Sequence, residues 1–322
     1  MRRIAGLITA PFSKTQGVAR WMLVIGLIVT LFFLILALFA PWIAPYGFAQ
    51  FSAGGKHFHK LGHPSSSHWF GTTDLQTDVL SRVIWGARTA VEVVSLAVFF
   101  SLIIGLFLGI VSGHFGGWLD RILVLVMDAM FAFPSLLLAI VFAFLFTSLI
   151  GDQFLFLTGG VVAAALSLTV IYIPQYFRVV RNTTISAKEA TYIEAARALG
   201  ATDGVIIRRY LFGNVIHSVP VIATLNAADA IGTLAALGFL GIGIQPTQAG
   251  EWGFDLNRAL DDAGLGIWWT SLYPGLAIVL LITGLTLVGE GLNESLNPAL
   301  RRRRLQTFTF GHHDELEQEE VA

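Results

Sequence analysis

Six long runs of apolar residues decide what this chain can fold into. A helix needs about 20 mostly apolar residues to cross a membrane, and only a helix satisfies its own backbone in hydrocarbon. The runs lie at about residues 21–40, 91–113, 119–148, 156–177, 215–242 and 268–289. The composition agrees, since 55% of the residues are hydrophobic and only 13% are charged. We therefore predict an all-α membrane protein with six transmembrane helices.

The predicted organisation is a single membrane domain with polar ends. This domain spans residues 21–295, between an N-terminal segment at 1–20 and a C-terminal tail at 296–322, which is acidic after Arg304. One loop, at about 41–88, follows the first span, and another, at about 182–214, follows the fourth. The third run is too long to cross untilted, and its proline predicts a kink at Pro134.

The distribution of positive charge predicts the orientation, because cytoplasmic segments are enriched in lysine and arginine. With the N terminus inside, fifteen of the 20 basic residues fall on the cytoplasmic side. The five that remain outside are Lys56, Lys60, Arg82, Arg88 and Arg258. We expect both chain ends and the 182–214 loop in the cytoplasm, and the 41–88 loop outside.

Several classes of function find no support in the sequence. The chain has no cysteine, which excludes disulfides, thiolate zinc sites, iron-sulfur clusters and cysteine nucleophiles. A net charge of −1 gives no reason to expect nucleic-acid binding. The G-x-x-x-x-G-K-[ST] phosphate loop is absent, and no Ser-His-Asp set can be argued. We expect no catalytic residue and no cofactor in this chain.

Two groups of ionisable residues leave alternatives open. The histidines of the first loop could bind a metal or could be solvated, and we expect the second; they are His57, His59, His63 and His68. Asp229 lies near the middle of the fifth apolar run, where an unpaired charge costs about 2.5 to 3.5 kcal/mol on insertion scales. It could line a path through the membrane or pair with a neighbouring helix or subunit.

The 182–214 loop carries the signals of two short helices. Ser186 and Glu189 have the spacing of a capping box, and Gly200 suits the left-handed residue that ends a helix. Between them lies an alanine-rich helix whose small side chains allow close approach of another chain. A second helix is predicted at 203–211. We interpret the pair as a docking surface. The alternative is an interfacial helix lying on lipid, but such a helix presents larger apolar residues.

The sequence "EAARALG" at 194–200 resembles the EAA loop of permease subunits of ABC importers. The surrounding motifs resemble the C-type permeases of the dipeptide, oligopeptide and nickel group. They are "HWFGTTD" (68–74), "DVLSR" (78–82), "DAMFAFPSLLLAI" (128–140), "KEATYIEAARALGA" (188–201), "FLGIGIQP" (239–246) and "GEGLNESLNPALR" (289–301). The resemblance implies the type I permease fold of ABC importers and a bacterial inner-membrane location.

The resemblance also implies roles and partners. The residues implied to couple to the ATPase are Glu194, Ala195, Ala196, Arg197, Gly200 and Asp203. The implied partners are a homologous B-type permease, two ATP-binding cassette subunits that hold ATP and magnesium, an extracytoplasmic binding protein and membrane lipid. Short peptides are the expected cargo, with nickel or another small solute as the alternative. An ion-coupled secondary transporter would need several ionisable groups near the midplane, and only Asp229 lies deep.

Overall fold

The computed structural model of the protein describes residues 18–151, 153–154, 157–216 and 219–296. Predictions for residues 1–17 and for the tail beyond residue 296 lie outside the described residues. The helices are α1 (Val18–Ile43), α2 (Val79–Phe115), α3 (Gly117–Ala132), α4 (Ser135–Ile150), α5 (Gly159–Lys188), α6 (Thr191–Ala198), α7 (Asp203–Val205), a π-helical turn (Ile206–Leu211), α8 (Phe212–Ile216), α9 (Val219–Phe239), α10 (Trp252–Gly264) and α11 (Trp269–Leu296). Two antiparallel ribbons pair β1 (Ser52–Ala53) with β2 (Lys56–His57) and β3 (Gln153–Phe154) with β4 (Leu157–Thr158).

Five of these helices are long and apolar enough to cross a membrane: α1, α2, α5, α9 and α11. The pair α3 and α4 is also apolar enough, but it bends by 99° at a short break. Counted as one span, this pair brings the total to six and confirms the prediction of an all-helical membrane protein. The long third run is thus two helices, a much sharper break than the kink that we predicted. Phe133 takes an extended conformation (φ −81°, ψ 138°), which is favoured before a proline.

Several helices extend beyond the predicted span boundaries, most of all at the start of the second span and at the end of the fourth, where α5 runs to Lys188 rather than to about residue 177. We placed the start of the second span near residue 91, but α2 begins at Val79. Asp78 stabilises this earlier start, because its Oδ2 accepts a 2.8 Å hydrogen bond from the amide of Ser81. The last part of the predicted 41–88 loop is therefore helical. The fifth span was predicted over 215–242, whereas α9 ends at Phe239, ahead of the left-handed Gly241 (φ 73°).

The centre of the fold is the seam between α2 and α5. Gly105, Gly109 and Gly113 follow each other at intervals of four residues on α2 and face residues 176–184 of α5. A β-carbon built at any of the three would come within 2.5 to 2.8 Å of an α5 side chain. Small residues at this spacing let two membrane helices pack backbone to backbone. The seam therefore holds the two helices in one relative position, including the end of α5 from which the next loop begins.

A second compact region surrounds α10, the helix between the last two spans. We call it the α10 junction and define it by Arg82, Glu251, Trp252, Gly253 and Asp255. The Arg82 guanidinium Nε lies 2.6 Å from the Asp255 Oδ1, and both side chains are buried. The indole of Trp252 donates a 3.0 Å hydrogen bond to the carbonyl of Val83. The junction therefore ties α10 to the start of α2.

Glu251 caps α10 from inside the protein. Its carboxylate accepts hydrogen bonds from the amides of Gly253 (2.8 Å) and Phe254 (2.6 Å). Burial disfavours the charged form and raises the pKa of Glu251 to about 7, against the opposing effect of these two amides. Burial also raises the pKa of Asp255, although Arg82 opposes the shift. Burial therefore opposes ionisation of both carboxyl groups of the junction, and the Arg82 guanidinium compensates for it at Asp255.

Candidate functional site

The loop after α5 folds into two helical segments joined at a glycine, as the sequence predicted. The first segment is α6, and the second runs continuously through α7, the π-helical turn and α8. Gly200 has φ 86°, the left-handed conformation expected of a terminating residue. The amide of Ala201 donates back to the carbonyl of Ala196 at 3.0 Å, which closes the end of α6. The capping-box prediction is wrong. Helix α5 continues to Lys188, so the predicted cap at Ser186 lies inside its last turn, and α6 begins only at Thr191.

The two helices share a small apolar core of their own. Ile193 on α6 packs with Ile206 and Leu211 of the following π-helical turn, and all three are fully buried. The side-chain amide of Asn214 donates a 2.8 Å hydrogen bond to the hydroxyl of Tyr192, which links the two helical segments a second time. We call this unit, residues 191–216, the helix pair. It is a folded body with a defined inner and outer face.

Ala196 lies on the inner face of the helix pair. It is 7% exposed, because it follows Ile193 by three residues and so shares its side of the helix. Ala196 is therefore not on the exposed face of α6, although the resemblance implies a coupling role for it. The other predicted coupling residues are exposed, namely Glu194, Ala195, Arg197, Gly200 and Asp203. Beside them Leu199 is 89% exposed, the highest value among the exposed large apolar side chains of the described residues.

Two polar contacts that the sequence did not reveal lie at the base of the helix pair: one joins the pair to α2, and the other joins the end of α5 to α2. The His114 Nε2 atom, at the end of α2, lies 2.9 Å from the Asp203 Oδ1. The Lys188 ammonium, at the end of α5, donates to the carbonyl of Gly113 at 2.9 Å. The only sequence signal for a buried His114 is its position directly after Gly113, the last of the three regularly spaced glycines on α2. Displacement of the helix pair would therefore pull on α2 and α5.

Asp229, the deep acid of the fifth apolar run, lies on α9 and is exposed to an open groove. The hydroxyl of Tyr172 on α5 donates a 2.7 Å hydrogen bond to the Asp229 Oδ2. The groove has a volume of about 420 Å³ and lies between α4, α9 and α11. Its lining consists of Leu136, Leu225, Ala228, Asp229, Gly232, Thr233, Ala236, Ile282 and Thr286.

The other acids in or beside the spans differ from Asp229. Asp128 pairs with Arg178 at 3.1 Å, and Glu92 pairs with Arg88 at 2.7 Å. Among the described residues, no lysine, arginine or histidine forms an ion pair with Asp229. Glu290 on α11 also has no basic partner among these residues, and what distinguishes Asp229 is that it lines the groove without a neutralising cation.

The histidines of the first loop have separate neighbours. The His68 Nδ1 lies 2.9 Å from the Asp78 Oδ1, His57 stacks on Phe51, and His63 packs on Trp269. Within residues 18–151, 153–154, 157–216 and 219–296, no group of three or more potential ligands could hold a metal ion. A larger depression of about 730 Å³ between α1, α2 and α11 is almost entirely apolar.

A helical membrane domain with an open groove among its spans and a folded helix pair at one end is the architecture of a transport permease. The comparison with known families agrees. The chain belongs to the family of binding-protein-dependent transport system inner membrane components, whose model matches residues 105–302. Residues 19–58 match the N-terminal transmembrane domain of oligopeptide transport permease C. The protein is therefore a multi-pass inner-membrane permease component of an ABC importer.

Individual relatives are similar over most of their length. The chain is 35% identical over 281 residues to the dipeptide transport system permease protein DppC of Alkalihalophilus pseudofirmus, covering 86% of each chain. It is 34% identical over 277 residues to the glutathione transport system permease protein GsiD of Pectobacterium atrosepticum, again covering 86% of each. Identity to the GsiD protein of Escherichia coli O157:H7 is 33% over 269 residues, or 83% of each chain.

Proposed function

We propose that this chain forms half of the translocation path of an ATP-driven importer for short peptides. The names of the relatives carry the choice of solute, because dipeptides and glutathione are both short peptides. They favour peptides over nickel, the other solute class of the resemblance. An extracytoplasmic binding protein delivers the peptide, and a homologous permease supplies the other half of the path.

The energy source is on other chains. Two ATPase subunits bind ATP and magnesium, and this chain contributes no catalytic group and no cofactor. The excess of basic residues in the inner segments supports an orientation with both termini and the helix pair in the cytoplasm. The ATPases and the helix pair then lie on the same side of the membrane.

The helix pair is the part of the chain that docks to an ATPase. Its outer face, which we call the coupling surface, consists of Glu194, Ala195, Arg197, Leu199, Gly200 and Asp203. The single observation that carries this assignment is the exposure of Leu199 (89%) beside small residues, on a unit whose own core is already filled. Tyr192 and Val205 of the helix pair are exposed as well (45% each), and exposed apolar surface rimmed by polar residues is typical of protein interaction sites.

The attachment of the coupling surface explains how docking could move the spans. ATP binding would draw the two ATPases together and shift the helix pair. Because Asp203 is joined to His114, the shift is transmitted to the end of α2, and the bond from Lys188 to the carbonyl of Gly113 ties the end of α5 to the same place. The path would switch between inward-facing and outward-facing states, and hydrolysis would reset it.

The test is to obstruct the coupling surface while leaving the spans intact. Ala195→Trp places a bulky ring on the outer face, and Leu199→Ser removes the exposed apolar contact. In vesicles that contain the complete importer, we expect either change to reduce peptide uptake and peptide-stimulated ATP hydrolysis by about tenfold or more, consistent with loss of a central contact. Membrane insertion of the chain should be unchanged.

Ala53→Trp is the matched control, because Ala53 is also an exposed alanine but lies in the first loop. It should transport at the unmodified rate. The proposal would be contradicted if both Ala195→Trp and Leu199→Ser showed normal uptake and normal ATPase association. The loop would then be interpreted as an interfacial helix that lies on lipid.

A further inference from the structure

We propose that Asp229 binds a positively charged amino group of the transported solute within the groove between α4, α9 and α11. The proposal rests on the import function above and specifies the chemistry that this path recognises. It concerns an acid of the described spans that lines a groove and has no basic partner among the described residues, unlike Glu92 and Asp128.

The first argument is electrostatic. An ionised carboxylate inside a membrane span is unfavourable unless a cation, a donor or water compensates it, so such residues mark substrate or ion pathways. Tyr172 provides one donor to Oδ2, and a neutral hydroxyl leaves the net charge in place. The second oxygen, Oδ1, forms no hydrogen bond to the described residues. The carboxylate is therefore prepared to receive a cationic donor.

The second argument is the rigidity of the support. Tyr172 is fully buried between α5 and α9, and its hydroxyl lies 3.4 Å from Thr233 as well as 2.7 Å from Asp229. The Thr233 hydroxyl in turn donates to the backbone carbonyl of Asp229 at 3.1 Å. A side chain held in this way loses little further freedom when it binds a ligand.

The third argument is a glycine that the chain's own packing does not require. Gly232 lies on α9 one turn after Asp229, and a β-carbon built there would meet only the Ile282 Cδ1, at 3.8 Å. By contrast, a β-carbon at Gly238 on the same helix would overlap the carboxylate of Glu251. Glycine inside a helix is unfavourable relative to alanine. Packing within the chain therefore does not account for Gly232, and its missing side chain leaves space in the groove for close approach of a solute.

The size and lining of the groove fit a short peptide. Its volume of about 420 Å³ falls in the range of small-molecule pockets. Leu136, Leu225 and Ile282 offer apolar contacts to side chains, while Thr286 adds a hydroxyl on the α11 side. An α-ammonium group is common to dipeptides and to glutathione, and it is the cation that such solutes bring to Asp229.

The absence of cysteine from the chain permits a direct test. Gly232→Cys introduces a single thiol beside Asp229 at a position with room for a side chain. In the complete importer, this thiol would be labelled with the cationic reagent 2-aminoethyl methanethiosulfonate and with the anionic reagent 2-sulfonatoethyl methanethiosulfonate. Mass spectrometry of this chain gives the ratio of the two rates, and the unmodified chain, which has no thiol, gives the background.

We expect the cationic reagent to be favoured, and Asp229→Asn in the same background to reduce the ratio by about tenfold, because a full charge lies within a few ångströms. Glu290→Gln, which removes an exposed carboxylate of α11, is the matched control and should leave the ratio unchanged. Alanyl-alanine should slow labelling, whereas N-acetyl-alanyl-alanine, which has no ammonium group, should not. Asp229→Asn alone should reduce alanyl-alanine uptake while the complex still assembles.

Three outcomes of the labelling and assembly measurements would overturn the proposal, and a fourth comes from uptake. One is a rate ratio that does not respond to Asp229→Asn. Another is equal protection by the two peptides. The third is loss of the homologous permease from the purified Asp229→Asn complex, which would mean that the carboxylate pairs with that subunit. If the Asp229→Asn importer takes up peptide normally, the inference about Asp229 is refuted but the proposed function is not. If the unmodified importer takes up no peptide, the proposed function itself is refuted.

Discussion

The α10 junction and the helix pair use polar and apolar residues in opposite ways. In the junction, Arg82, Glu251 and Asp255 are buried, and a β-carbon added to Gly253 would lie 2.0 Å from the carbonyl oxygen of Ala235. In the helix pair, Leu199 is 89% exposed and a β-carbon added to Gly204 would meet no atom within 4 Å. The first region is complete within the chain. The second has a surface that the chain itself does not cover.

This difference separates residues that hold the fold from residues available to a partner. A buried charge is costly unless it is paired or hydrogen-bonded, so the junction constrains α2, α9 and α10 to one arrangement. The helix pair owes its shape to three apolar residues and can bind through its outer face without unfolding. The comparison predicts that substitutions in the junction change stability, whereas substitutions on the coupling surface change assembly and transport.

The largest effect is expected from Arg82→Ala. This change leaves the buried carboxylate of Asp255 without its 2.6 Å partner, and breaking a buried pair costs about 3 to 5 kcal/mol. Thermal unfolding of the purified chain in detergent should show a large loss of stability. Arg88→Ala removes the partly exposed Arg88–Glu92 pair and should cost at most about 1 kcal/mol. Equal losses for the two variants would contradict the distinction.

A pH dependence should follow from Glu251. Its pKa rises from 4.5 to about 7 in the folded protein because burial disfavours the charged form. The folded state therefore binds the proton more tightly than the unfolded state. Its contribution to stability is present in full below about pH 4.5 and is lost as the pH rises through about 7. The change is at most about 3 kcal/mol.

Glu251→Gln removes this titration and keeps one of the two oxygens that accept from the amides of Gly253 and Phe254. Unfolding temperatures measured across this pH range should fall for the unmodified chain and change much less for the variant. Parallel pH profiles for the two proteins would show that Glu251 ionises normally in the folded state.

The smallest effects are expected from a pair of glycine substitutions. Gly253→Ala forces a methyl group against the carbonyl of Ala235 and should cost about 1 to 3 kcal/mol, the usual range for overpacking. Gly204→Ala adds the same methyl group to open space on α7 and should be neutral or stabilising by up to about 1 kcal/mol. The measurement is the unfolding temperature of each variant. A similar decrease in both would contradict the distinction between the α10 junction and the helix pair.

Parts of the candidate site could be predicted because their signals are local. Gly200 follows an alanine-rich helical segment, and its left-handed conformation is the one that such a position favours. The start of α6 could not be predicted in this way. The Ser186–Glu189 spacing is a valid local signal, but the packing of α5 against α2 keeps that segment helical up to Lys188.

The sequence by itself determined that the chain lies in a membrane, that it has up to six spans, and that a two-helix loop follows the fourth apolar run. Hydrophobicity and helix termination depend on neighbouring residues, so these features are visible in the order of the amino acids. Only the tertiary structure decided that Ala196 faces inward, that Asp229 faces a groove, and that Arg82 pairs with Asp255, 173 residues away. Such facts depend on which helix faces meet, and that is set by packing over the whole chain rather than by any local pattern.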